Sequence, residues 1–133
     1  MTDKLKGTPI PEVRWADRPA SHDFPAAASY LSLLAEPATV AGIVDRLRNA
    51  QIQHFKAKDI LRAARLELLD ATNPHVASDL AKIQANVPLS PILLVRGNLA
   101  GERRLHVADG YHRVCACYHT NENTDIPCLL VDP

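Results

Sequence analysis

Between Val40 and Leu47 the apolar residues fall at Val40, Ile43, Val44 and Leu47, with Asp45, Arg46 and Arg48 on the other side. That spacing predicts an amphipathic helix of about three turns with one buried face. Upstream, Asp23 reads as the cap of another helix, with Pro25 in its first turn and an Ala-rich run from Ala26 to Leu34. Pro37 ends that helix or restarts the next. The stretch before Asp23 holds Pro9, Pro11 and Pro19 with mixed charge and little periodicity, which predicts an extended arm anchored by Trp15.

Further along, Gln53 to Ala57 reads as a short strand and Asp59 to Arg65 as a helical piece. Asn73-Pro74 marks a clearer helix start, with Asn73 as cap, Pro74 at the first helical position and Val76, Leu80 and Ile83 as the buried stripe. The continuous apolar run Ile92-Leu93-Leu94-Val95 reads as a buried strand. Asn98 to Gly101 supplies a turn, and Leu105 to Ala108 returns as a second strand. Asp109-Gly110 breaks it, Tyr111 to His119 has helical spacing through Val114, Cys117 and Tyr118, and Pro127 to Val131 closes as a final strand. The order predicts an α+β domain with a small mixed sheet.

A chain of 133 residues, 47% hydrophobic, can bury one core. Its fifteen basic and fifteen acidic side chains cancel, which argues against a large footprint for duplex nucleic acid. No stretch approaches the roughly 18 apolar residues of a membrane span, and the N-terminal residues lack the apolar centre of a signal peptide. No membrane association and a cytoplasmic location are the expectation. The odd count of three cysteines, Cys115, Cys117 and Cys128, points to reduced thiols.

Two motifs stand close together, Gly101-Glu102-Arg103-Arg104 and Asp109-Gly110-Tyr111-His112-Arg113. The first lies in a turn and the opening of a strand, where alternate side chains diverge, so Arg103 and Arg104 read as a solvated edge. The second lies where a strand feeds a helix, and a helix start offers unpaired N–H groups and positive dipole character to an anion. Gly110 would permit close approach of a phosphate, and His112 and Arg113 would add donors. Asp109 would repel that phosphate directly, so it is expected to cap the helix, hold Mg²⁺ or accept a proton from a hydroxyl. A strand, an Asp and a Gly turn also recur in many folds for structural reasons alone.

Other candidates are weaker. His75 sits in the first turn of the Asn73-Pro74 helix, where it could contact an anion or lie idle on the surface. Glu67 and Asp70 lie in the loop before that helix. Cys115 and Cys117 face about 200° apart on a helix, wrong for one metal. His112 and His119 share a face but lack a third ligand, and His22 beside Asp23 is explained equally by a helix start.

From about His54 to the end the succession of elements resembles the ParB/sulfiredoxin superfamily. The resemblance is carried by Asp79 to Ile83 on a helix, the Pro-led strand Pro88 to Val95, the returning strand Leu105 to Ala108, the box Asp109 to Arg113 and the closing strand Pro127 to Val131. It implies a ParB/sulfiredoxin-like domain over 54–133, preceded over 1–53 by the arm and two helices. Those helices have no counterpart in the family; covering a sheet face, closing the pocket or making a homodimer contact are the options. The family's nucleotide-holding Gly-Glu-Arg-Arg box corresponds by position to Gly110 to Arg113, not to residues 101–104. Tyr111 stands where sulfiredoxins carry their cysteine, so sulfinic acid repair is not expected. The box is similar to the Asp-Gly-His-His-Arg of the free serine kinases, differing at Tyr111.

The resemblance therefore implies a nucleotide or phosphorylated small molecule bound by Gly110, Tyr111, His112 and Arg113, with ATP, ADP or CTP and Mg²⁺ as cofactors. A Mg-dependent phosphotransferase or nucleotide hydrolase would use Asp109, His112 and Glu67, with Asp109 also the metal ligand. The alternative is a non-catalytic ParB-like interaction or DNA-associated module. Direct duplex binding is not expected, because no helix-turn-helix region follows the last strand, and no carboxylate cluster suits a two-metal nuclease.

Overall fold

In a computed structural model, residues 12–133 are described. Their elements run α1 (Asp23–Leu31), α2 (Pro37–Asn49), β1 (Ile52–Lys56), α3 (Ala57–Ala64), α4 (Pro74–Gln84), β2 (Ile92–Val95), β3 (His106–Asp109), α5 (Tyr111–Thr120) and β4 (Asp125–Val131). This is a mixed α+β fold around an open sheet of order β1-β4-β2-β3. β2 pairs parallel with β4 and antiparallel with β3, while β1 pairs antiparallel with β4.

The unbroken apolar run of β2 follows from its place. It is an inner strand, and successive side chains leave a strand on opposite faces, so both faces must be dry. Ile92 and Leu94 join Ile126, Cys128 and Leu130 beneath α3, α4 and α5, where Ile60, Leu61, Val76, Ile83 and Val114 complete one core. Leu93 and Val95 join Leu129 and Ala108 on the other face. There Phe24, Ala27 and Leu31 of α1 and Val40, Ile43, Val44 and Leu47 of α2 cover them. The N-terminal helices thus take the first of their three options and roof a sheet face. The division between residues 53 and 54 falls inside β1, where Gln53 pairs with Cys128.

Several boundaries differ from the sequence expectation, each through a contact from elsewhere. Asp23 does not cap α1. It is the first helical residue, its carboxylate accepts the Ala20 N–H at 3.0 Å, and it is buried. The helix ends at Leu31 and leaves Leu33 and Leu34 exposed. α3 begins two residues early, at Ala57, because Ala57 and Lys58 donate to the carbonyls of Thr124 and Glu122. β3 continues through Asp109, which pairs with Leu93 past a register shift, so the break comes at Gly110.

Pro9 and Pro11 lie outside the described residues. The segment around Trp15 packs on the domain: Trp15 bridges to Leu89, Ala16 donates to the Leu89 carbonyl at 2.8 Å, and Leu89 donates back to Arg14. The three cysteines are unpaired and buried. Burial pushes the Cys117 and Cys128 thiols up to about 12, which makes them poor nucleophiles. No helix among the described residues is long and apolar enough to cross a membrane.

Candidate functional site

The strand-to-helix turn at Gly110 gathers most of the residues singled out in the sequence, but it divides them between two jobs. Gly110 is the N-cap of α5 with φ 114°, a left-handed conformation that suits glycine, and it offers no side-chain cap. A Cβ at this position would run into the Ile92 side chain. Glycine is therefore required here by the backbone and by β2, whatever binds outside. Gly110→Ala is expected to lower stability by about 1–3 kcal/mol, read as the midpoint of urea unfolding; an unchanged midpoint would show that the turn relaxes around a methyl group.

Arg113 points inward. Its Nη1 donates to the Ser90 carbonyl at 2.6 Å and to the Pro91 carbonyl at 3.3 Å, and its Nη2 donates to Asp109 Oδ2. Asp23 Oδ2 lies 3.7 Å from Nη1. One guanidinium thus ties together the start of α1, the entry to β2, the end of β3 and the first turn of α5. Its side chain is only 14% exposed, and those of Asp109 and Asp23 are 17% and 6% exposed. Burial, opposed by Arg113 and reinforced by the Asp23 carboxyl, raises the Asp109 pKa to about 6. Asp109 therefore keeps its proton into mildly acidic solution.

His112 points to a different cluster. Its ring centroid lies 4.8 Å from that of His75, which stands in the first turn of α4, and 5.7 Å from the Tyr111 ring. Asp79, one turn along α4 from His75, completes the group. Its side chain is 13% exposed and its nearest cationic partner is Lys82 at 3.9 Å. Burial raises the Asp79 pKa, while Lys82, Arg113, His112 and His75 pull it down. Burial and His75 lower the His112 pKa, and Asp79 acts against them. Asp79 therefore lies within the electrostatic reach of both the histidine pair and the Arg113 tie.

The two helix starts are not equivalent. In α4, Asn73 Oδ1 accepts the N–H groups of His75 at 2.9 Å and Val76 at 3.2 Å, so its first donors are already taken. α5 has no such side-chain cap, and its first internal bond is Val114 N–H to the Gly110 carbonyl at 3.0 Å. The donors of Tyr111, His112 and Arg113 precede that bond. Tyr111 itself donates its hydroxyl to the Glu67 carbonyl at 2.6 Å, and His119 Nε2 meets the Leu69 carbonyl at 2.7 Å. These contacts pin the loop between α3 and α4 against α5.

No family model, curated protein or solved structure matches this chain.

Of the expected site residues, Gly110, Tyr111, His112 and His75 come together at one turn. Arg113 and Asp109 adjoin it but face each other, so Asp109 does not act as the cap of α5. Glu67 supplies its backbone oxygen, not its carboxylate, to Tyr111, and the carboxylate is exposed. His22 is exposed at the N-cap position of α1, 3.4 Å from Asp23. Among the described residues no three His, Cys, Asp or Glu side chains form a metal-ligating group. With Asp109 engaged by Arg113, the residues present do not fit a Mg²⁺ cage of their own.

Nothing in the sequence alone assigns a site role to Asp79 or Asp23. For Asp79 a signal existed, since His75 and Asp79 are four apart on a helix and share a face. For Asp23 there was none, because nothing in its neighbourhood points to Arg113.

Proposed function

We propose that the chain is a ParB/sulfiredoxin-like protein that binds a nucleotide or other phosphorylated small molecule at the first turn of α5. The observation that carries this reading is the meeting of His75 and His112 beside a helix start without a side-chain cap. A phosphate there would take backbone N–H groups of α5 and one or both imidazolium rings, in the field of the helix dipole. Arg113 serves as the strut that holds the turn. Tyr111, stacked on His112, offers an aromatic face to a base or sugar. Because Asp109 is engaged by Arg113, binding is better supported than transfer of a phosphoryl group to a hydroxyl.

A thermal-shift panel of ATP, ADP, CTP and inorganic phosphate, with and without Mg²⁺, tests this. A ligand that binds only the folded state raises the melting temperature, by an amount equivalent to about 2.7 kcal/mol at one hundred times Kd. At least one phosphate ligand is expected to stabilise the protein, and H75A/H112A is expected to abolish that shift while remaining folded. If no panel member shifts the parent protein, the ligand-free interaction module becomes the better reading.

A further inference from the structure

A cavity lies at the other end of the β2–β3 pair, away from the α5 turn. β2 enters at Ser90 and Pro91, beside Arg113, and leaves at Val95 and Arg96. Beyond that exit is a cavity of about 850 Å³. Arg62 and Arg65 from the end of α3, Arg96, and Arg103 and Arg104 from the hairpin line its wall, against only Asp59 and Glu102. Phe55 and Leu105, both partly exposed, supply apolar surface over buried Ile60 and Leu94. Arg103 and Arg104, expected to be a solvated edge, are exposed and with Glu102 also form one side of this basin.

The arginines differ in how far they are occupied. Arg96 Nε is 2.8 Å from Asp132, and Arg62 is 3.8 Å from Asp59 in an exposed pair. Arg65, at φ 55°, donates to the Glu102 carbonyl at 3.3 Å and fastens the hairpin to α3. Arg103 and Arg104 have no carboxylate within ion-pair distance among the described residues. Exposed guanidiniums are weak attractors alone, but several around an apolar floor make a concave, positively charged basin. Its volume falls in the range of about 300–1,000 Å³ typical of small-molecule sites.

We propose that this basin is a second ligand site, taking a small amphipathic anion. An apolar chain or ring lies against Phe55 and Leu105, and a phosphate or carboxylate head is held by Arg103 and Arg104, with Arg62 and Arg65 beside them. A bidentate guanidinium fork suits either head. The site is independent of the α5 turn, because it shares no residue with it and uses the opposite end of β2.

Isothermal titration calorimetry with octyl phosphate, octanoate, inorganic phosphate and octyltrimethylammonium tests the proposal. Saturable binding is expected for one or both octyl anions, the tighter of the two identifying the head group, with no comparable binding of the cation. R103A/R104A, both exposed positions, is expected to weaken anion binding by about tenfold or more. R103K/R104K should recover part of it, and H75A/H112A should leave it unchanged, which separates this site from the α5 turn. Absence of saturable binding by both octyl anions, equal binding of the cation, or unchanged affinity in R103A/R104A would overturn the proposal, as would loss of octyl binding in H75A/H112A.

Discussion

Arg113→Ala is expected to destabilise the fold by about 3–5 kcal/mol, the usual consequence of removing one partner from a buried charge pair. The substitution leaves the Asp109 and Asp23 carboxyls facing each other with no cation between them, and it frees the Ser90 and Pro91 carbonyls. Its pH dependence carries a sign. In the parent protein the Asp109 pKa stands near 6, above its ordinary 3.8. The stability linked to its proton is therefore complete below about pH 4 and lost as pH rises through about 6. Without Arg113, Asp109 holds its proton to still higher pH, so the variant suffers more at pH 8 than at pH 4. Urea unfolding at the two pH values measures this; a variant as stable as the parent would mean that Arg113 is free to serve a ligand.

Leu47→Ala is expected to cost about 2–5 kcal/mol, the range for emptying a well-packed Leu site. Leu47 is fully buried in α2, in the cluster that contains Leu93, Val95 and Leu129. Without the α1–α2 roof those strand residues would face water, and roughly 25 cal/mol is lost for each Å² of apolar surface so exposed. If the helices were a detachable accessory, Leu47→Ala would loosen them while the sheet unfolded at its usual denaturant concentration. A single cooperative transition shifted to lower urea is the expected result, because β2 and β4 contribute alternate side chains to the clusters on both sheet faces and so couple them.

Features set by neighbours in the chain were legible in the sequence. The stripe Val40, Ile43, Val44 and Leu47 is the buried face of α2, Asn73 caps α4 through two N–H groups, and the Ile92 to Val95 run is an inner strand. The α+β class followed from their order. Features set by distant contacts were not legible. Local spacing gives no hint that Thr124 and Glu122 begin α3, that Ile92 closes one side of Gly110, or that Asp23 faces Arg113. The strand-to-helix turn at Gly110 is where the sequence puts it, but its side chains do not all face the way their residue types suggest. Arg113, the obvious anion gripper by residue type, is turned inward, whereas His75 and His112 come together although they lie on different helices. Residue type says what a side chain can hold, and only packing decides which way it faces.

The most direct test of phosphate binding at the α5 turn is proton NMR of the His75 and His112 ring C–H signals across pH, with and without ATP or inorganic phosphate. In the free protein burial and the neighbouring ring hold His112 below the ordinary 6.5, so it is largely neutral at pH 7. A bound phosphate favours the charged ring, so His112 should titrate at higher pH with ligand present, and affinity should rise as pH falls from 8 to 6. Superimposable titration curves for both histidines with and without every phosphate ligand would contradict a phosphate site at this turn.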